Sequence, residues 1–132
     1  MIVVDSSALV AIGQDEPEAD EMMNILETSE RAIISPVNAM EAGLVLIGRG
    51  IIEHPESYDR WLQILEVEVD QERIDHALAI YSYLAFGRGY HPAKLNFGDC
   101  FAYALAKRLD APLLFKGNDF ALTDIRSALQ PT

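Results

Sequence analysis

The chain has 132 residues, of which 50% are hydrophobic and 23% are charged. This composition excludes a disordered chain, indicates a globular protein with a packed core, and at this length predicts one domain over residues 1–132. The formal net charge of -11 argues at first sight against a nucleic-acid partner, because phosphate binding is driven by Lys and Arg.

The charges are distributed unevenly along the chain. Residues 1–87 contain 4 basic and 17 acidic side chains, whereas residues 88–126 contain 6 basic and 4 acidic ones. The six basic residues are Arg88, Lys94, Lys107, Arg108, Lys116 and Arg126. Two interpretations remain open at this point, a basic surface for an anionic partner or ordinary solvated surface charge.

The sequence gives no indication of export or of membrane insertion. The N-terminus begins directly with a β-branched run, without the basic region and apolar segment of a signal peptide, and no apolar run has the length of a membrane span. The single cysteine, Cys100, excludes an internal disulfide and is expected to fill the core. We therefore expect a cytoplasmic protein without a membrane partner.

The first half of the chain alternates short apolar runs with segments of helical periodicity. Asp5-Ser6-Ser7 form a turn and helix cap, and Ser35-Pro36 begin a helix with proline at its first position. The predicted elements are strand 2–4, helix 8–12, helix 17–28, strand 32–34 and helix 36–48.

The predicted elements of the second half are a helix that comprises 54–55 and 58–65, strand 65–69, amphipathic helix 71–85, helix 99–109 and strand 112–115. The alternation of apolar residues with glutamate in the strand at 65–69 implies one solvated face and hence an edge position. Residues 88–98 contain glycine, proline and polar side chains and are expected to form a loop. After a turn at 117–119, a short helix and a last strand near Ile125 both remain open.

Strands that alternate with helices predict an α/β fold in which a mostly parallel central sheet is covered by helices on both sides. Ligand sites in such sheets form beyond the carboxyl ends of the strands. Asp5 and Asp119 follow the first and last predicted strands. Glu41 and Asp99 lie near the starts of two predicted helices, which belong to the same edge. We therefore expect four carboxylates from distant parts of the chain to converge there.

Four neighbouring carboxylates repel one another strongly at neutral pH unless a cation lies between them. Mg²⁺ or Mn²⁺ suits such a site, because both ions prefer oxygen ligands and Mg²⁺ in particular keeps several bound waters. A water bound to such an ion can attack phosphorus, and a carboxylate that does not bind the metal can orient that water. The predicted site therefore indicates phosphodiester hydrolysis.

Each acid also has a purely structural interpretation. Asp5 and Asp99 stand where helix caps and acids of the first helical turn are common, and Asp119 stands where turn residues are common. Glu41 is the most informative acid, because it lies on a helix that has few other polar residues in its middle. Capping and ligand roles remain open for the other three acids.

Four stretches of the chain occur in the order and at the spacing of one known family: IVVDSSAL at 2–9, SPVNAMEA at 35–42, LNFGDCFAYALA at 95–106 and LLFKGNDF at 113–120. Together they resemble the PIN-domain family, and the resemblance extends from Met1 to about Ile125. It implies a three-layer PIN-like fold. It also implies an acidic site formed by Asp5, Glu41 and Asp99, in which Asp5 and Asp99 are the foremost metal ligands.

The fourth acid matches the family pattern less well. Many PIN domains have an aspartate two positions earlier, where this chain has Gly117, so Asp119 belongs to the site only if its loop presents it inward. A contribution from Asn118 and a site with three acids both remain open.

Within the family the chain resembles VapC toxins. The resemblance implies a Mg²⁺-dependent endoribonuclease that acts on RNA as a homodimer and is neutralised by a VapB-type antitoxin. A symmetric dimer would bring two basic C-terminal segments beside the two active sites.

Two rival functions remain. A haloacid-dehalogenase-like phosphatase also begins with a strand and an aspartate, but it needs a second aspartate where this chain has Ser7. The other rival is a PIN-fold binding module without catalysis, against which the presence of three site acids argues.

Overall fold

The computed structural model describes residues 1–129. The last three residues of the domain predicted over 1–132 lie outside this described part. Its strands are β1 (Ile2–Val4), β2 (Ala32–Ile34), β3 (Val67–Val69) and β4 (Leu113–Leu114). Its helices are α1 (Ser6–Gly13), α2 (Ala19–Thr28), α3 (Pro36–Gly48), α4 (Pro55–Ile64), α5 (His76–Phe86) and α6 (Phe97–Leu109). A short 3₁₀ helix, Asp119–Leu122, follows β4.

The four strands form a parallel sheet in the order β3-β2-β1-β4. Val3 of β1 lies in register with Ile33 of β2 and Leu113 of β4. The chain passes from β1 outward to β2 and β3 and then returns to the other side of β1 to form β4. The predicted parallel sheet and the edge position of β3 are therefore confirmed, and the strand order reverses beside β1.

The β-branched residues of the central strand are buried on both faces of the sheet. Ile2 and Val4 of β1 pack into the core formed with α1, α2, α3 and α4. Val3 points to the opposite face, where α5 and α6 form the second core. The protein thus has the three-layer α/β fold that the resemblance implied.

The fifth helix differs from its prediction at its start and on its surface. It begins at His76 rather than at residue 71, because Asp75 caps it by accepting a hydrogen bond from the Leu78 backbone N–H at 3.0 Å. Its outer surface is apolar rather than polar, since Ile80 and Leu84 are 57% and 55% exposed. The start at residue 71 and the amphipathic character predicted for this helix were wrong.

The segment after β4 combines the two alternatives left open by the sequence. The 3₁₀ helix comes first, and Ser127 then forms a parallel β-bridge with Leu113. Cys100 is buried, as expected for a core residue. Within residues 1–129, no helix combines the length and apolar character that a membrane span requires.

Candidate active site

Asp5 lies where β1 ends and caps helix α1. Its Oδ2 accepts hydrogen bonds from the Ser7 backbone N–H at 3.1 Å and from the Ser7 hydroxyl at 2.6 Å. Its Oδ1 is buried and has no hydrogen-bond partner among the described residues. Burial raises the pKa of this carboxyl above its usual value, the Ser7 hydrogen bonds oppose that rise, and the charge of Glu41 adds to it.

Glu41 is held by a buried asparagine one helical turn earlier. The Asn38 amide donates one hydrogen bond to Glu41 Oε1 at 2.8 Å and a second to the Gly98 carbonyl at 3.0 Å. Asn38 is fully buried, so this side chain joins α3 to the start of α6 inside the protein. Its own Oδ1 is buried and has no partner within residues 1–129.

The absence of a side chain at Gly98 allows this close approach of the two helices. A Cβ atom added at Gly98 would lie 2.1 Å from Glu41 Oε2 and 2.5 Å from Glu41 Cδ. These separations are far below van der Waals contact. Glycine at position 98 is therefore required for the observed place of the Glu41 carboxylate.

Asp99 lies in the first turn of α6 and forms a capping box with Asn96. Asp99 Oδ2 accepts from the Asn96 backbone N–H at 3.0 Å, and Asn96 Oδ1 accepts from the Asp99 backbone N–H at 2.9 Å. Burial raises the pKa of Asp99 to about 7 against the lowering effect of the Asn96 hydrogen bond. The charges of Asp5, Asp119 and Glu41, in that order, contribute to the same rise in the pKa.

Asp119 is exposed at the start of the 3₁₀ helix, in contrast to the buried Asp5 and Asp99. It is near enough to Asp99 to raise the pKa of that carboxyl. Gly117, two positions before Asp119, has a positive φ of 101°. Asn118 precedes the 3₁₀ helix and is not among the residues that line the groove described next.

The four predicted acids line one open groove of about 530 Å³ at the carboxyl edge of the sheet. The loop after β4 is fixed to α1 by a hydrogen bond from the Lys116 backbone N–H to the Ser7 hydroxyl at 2.9 Å. Further groove residues that the sequence analysis did not single out for this site are Ser6, Ser7, Gln14, Glu16, Arg49, Asn96 and Lys116.

The arrangement of the acids bears directly on whether a divalent ion fits. Within residues 1–129, no three carboxylate, imidazole or thiol side chains are grouped closely enough to hold an ion as they stand. Hydrogen bonds engage one oxygen each of Asp5, Glu41 and Asp99. The second oxygen of each is left for another ligand, and Mg²⁺ binds in this way, through one or two carboxylates and several waters. The unpartnered Asp5 Oδ1 and the raised pKa values therefore fit a bound cation.

The basic C-terminal segment is largely neutralised by ion pairs. Lys107 pairs with Asp124 at 2.9 Å and Arg108 pairs with Asp70 at 2.6 Å. The other paired residues are Lys116, bound by Glu16 and Glu18, and Arg126, bound by Asp110. Four of the six basic side chains thus have carboxylate partners, and the segment does not present a continuous unpaired basic surface.

The family model of the PIN domain matches residues 2–125 of this chain. The chain belongs to the PIN-domain family. Ribonuclease VapC30 of Mycobacterium tuberculosis is 39% identical over 131 residues, which cover 98% of this chain and 100% of the relative. Ribonuclease VapC of Mycolicibacterium smegmatis is 39% identical over 127 residues, which cover 94% and 97%.

A solved structure supports the fold of this PIN domain. The crystal structure of VapC20 from Mycobacterium tuberculosis, described as a sarcin-ricin loop cleaving toxin, superposes with a TM-score of 0.72. The match covers 95% of this chain and 96% of that chain at 17% sequence identity, so it bears on the fold alone. Family membership removes the phosphatase rival, whose second aspartate is replaced here by Ser7.

Proposed function

We propose that this chain is a divalent-metal-dependent endoribonuclease of the VapC type, built as one domain and acting in the cytoplasm as the toxin of a VapBC-type pair. The observation that carries the proposal is the convergence of Asp5, Glu41, Asp99 and Asp119 on one groove. The full-length similarity to proteins named VapC ribonucleases supports RNA as the substrate.

The proposed chemistry divides among the four acids. Asp5 and Asp99 would hold the ion through the oxygens that their capping hydrogen bonds leave available, and Glu41 would bind it directly or through a water. When bound, Mg²⁺ or Mn²⁺ lowers the pKa of a bound water and polarises a phosphate oxygen. Asp119 would orient the attacking water. Hydrolysis then forms one P–O bond from that water and breaks the P–O bond to the leaving ribose oxygen, which takes up a proton.

Chelation is expected to abolish cleavage of a structured RNA by the purified chain, and Mg²⁺ or Mn²⁺ is expected to restore it. The physical reason is that carboxylates alone provide neither the activated water nor the neutralisation of the phosphate. The measurement is gel analysis of an end-labelled RNA with and without excess chelator. Undiminished cleavage in chelator would overturn the metal dependence, and absence of cleavage with either ion would favour the binding module without catalysis.

Asp119→Asn is expected to be the mildest of the four acid substitutions. Asp119 is exposed, and an orienting carboxylate can be replaced in part by the amide of asparagine. We expect kcat/KM for RNA to fall by less than about 10-fold, a smaller loss than that of a metal ligand. A loss as large as that of Asp99→Asn would instead identify Asp119 as a ligand.

We further propose that the protein forms a homodimer through the outer surface of α5 and the start of α6. A groove of about 360 Å³ lies there and is lined almost entirely by apolar side chains. Ile80, Leu84 and Phe97 border it and are exposed, which is typical of a protein contact surface. Light scattering at micromolar concentration without antitoxin is expected to give twice 14.7 kDa. A monomer mass under these conditions would count against the dimer.

The proposed toxin function also implies an antitoxin that binds this chain. VapC relatives support a VapB-type partner, and a neighbouring gene that encodes a small DNA-binding protein with a flexible tail would identify it. Co-purification of the two chains, with suppression of RNA cleavage, would establish the pair.

A further inference from the structure

A network of polar side-chain contacts lines the active-site groove beside the four acids. Arg49, just beyond the end of α3, donates from Nη1 to Gln14 Oε1. Gln14 Nε2 in turn donates to Glu16 Oε2 at 3.4 Å. Lys116 Nζ lies 2.5 Å from Glu16 Oε1 and 3.4 Å from Glu18 Oε2. This network therefore joins the end of α3, the α1–α2 connection and the loop after β4.

Arg49 and Lys116, the two cations of this network, lie in the same groove as the four acids. A divalent ion among the four acids would neutralise the scissile phosphate, but the flanking phosphates of an RNA strand would still face a strongly acidic surface. Arg49 forms no salt bridge with any of the described residues, although it lies in this groove. Its guanidinium geometry suits two-point recognition of a phosphate.

Glu16 is the anionic partner of these two cations. One of its oxygens binds the Lys116 ammonium directly, and the other is linked through Gln14 to the Arg49 guanidinium. The hydrogen bond from Lys116 is the main cause that lowers the pKa of this carboxyl, and the positive charges of Lys116 and, to a smaller extent, Arg49 lower it as well. A backbone phosphate is an anion of the same charge and can take over contacts with the same two cations.

We propose, on the basis that the chain cleaves RNA, that Arg49 and Lys116 form a subsite for a backbone phosphate that flanks the scissile one. In the absence of RNA, Glu16 neutralises this subsite as the resident anion. When RNA enters, the flanking phosphate competes with Glu16 for the two cations. Removal of either cation should therefore weaken RNA binding, and removal of the Glu16 charge should strengthen it.

The test measures binding of a fluorescein-labelled single-stranded RNA by anisotropy in an Asp99→Asn background, in which the RNA is not cleaved. Arg49→Ala and Lys116→Ala should each weaken binding by roughly 3- to 10-fold at about 50 mM salt and lower the salt slope by about 0.7. Glu16→Gln should tighten binding by a similar factor. Arg60→Ala is the matched control, because Arg60 is an exposed arginine on α4 outside the groove.

The outcomes separate the subsite from the proposed function. With the otherwise unmodified protein and Mg²⁺, Arg49→Ala should raise KM for RNA with little change in kcat. If the chain cleaves RNA but Arg49→Ala and Lys116→Ala bind like Arg60→Ala, the subsite is wrong and the ribonuclease function stands. Weaker binding by Glu16→Gln would also overturn the subsite, and this variant is informative because a merely destabilised protein does not gain affinity. Absence of cleavage by the wild-type chain would instead overturn the proposed function.

Discussion

Asp5→Asn and Asp99→Asn are each expected to abolish metal-dependent RNA cleavage while the folded protein without metal stays at least as stable as the wild type. Loss of an outer-shell partner of a metal already costs roughly 10- to 100-fold in activity or affinity, so loss of a ligand should cost more. Asparagine preserves the caps, because its carbonyl oxygen can accept the Ser7 and Asn96 backbone hydrogen bonds.

The expected stability follows from the direction of the pKa shift. The pKa of Asp99 is about 7 in the folded protein, whereas aspartate in an unfolded chain titrates near about 3.9. The stability associated with the neutral carboxyl is fully present below the unfolded pKa and is lost as the pH rises through 7. Above that pH the wild type without metal carries a buried charge that Asp99→Asn lacks.

Thermal melts of the metal-free proteins between about pH 5 and pH 8, paired with cleavage assays, check both halves of this prediction. Asp99→Asn should gain stability relative to the wild type as the pH rises. If either variant unfolds, the fold itself requires that carboxylate, and the prediction of lost cleavage with retained stability fails. Cleavage at the wild-type rate by either variant would contradict the assignment equally.

Gly98→Ala is expected to lower RNA cleavage by roughly 10- to 100-fold and to destabilise the protein by no more than about 1 kcal/mol, because the atoms that must move are the far end of the flexible Glu41 side chain. The new methyl group would overlap Glu41 Oε2, which lies 2.1 Å from the position of an added Cβ. The Glu41 carboxylate would have to move and lose its hydrogen bond from Asn38. The measurements are kcat/KM for RNA and the free energy of unfolding.

Gly48→Ala is the matched control, because an added Cβ at this last position of α3 meets nothing within 4 Å. It should leave cleavage unchanged and stabilise the helix by up to about 1 kcal/mol. A second comparison uses Glu41→Ala, which removes the overlapping carboxylate. Gly98→Ala should destabilise the Glu41→Ala protein much less than the wild type, and equal losses in both proteins would show that the overlap is not the cause.

The fold could be predicted largely because β1 and β2 are short apolar runs followed by polar residues. Residues 2–4 and 32–34 have no polar side chain, and the alternating strand at 65–69 indicated an edge that β3 occupies. The start of α5 could not be predicted, because it depends on where Asp75 caps the helix. Because α5 is apolar on its exposed side as well as on its buried side, the sequence pattern did not show which face packs on the sheet.

The positions of the site acids could be predicted from topology, since ligands bind at the carboxyl ends of parallel strands. The sequence left capping and site roles as alternatives for Asp5 and Asp99, whereas the structure shows that both residues cap helices and line the groove. Asn38 had one signal, an amide in an apolar helix three residues before Glu41. Its contact with Gly98, and the place of Arg49 in the groove, depend on packing between distant elements and left no local pattern.

The central claim, a divalent-ion site formed by the acids of the groove, is tested most directly by titrating Mn²⁺ into the metal-free wild type and the Asp5→Asn and Asp99→Asn variants. Electron paramagnetic resonance of the free ion measures binding without any substrate. We predict saturable binding by the wild type and an affinity at least about 10-fold weaker for each variant. Equal affinities in all three proteins, or no binding by the wild type, would contradict the claim.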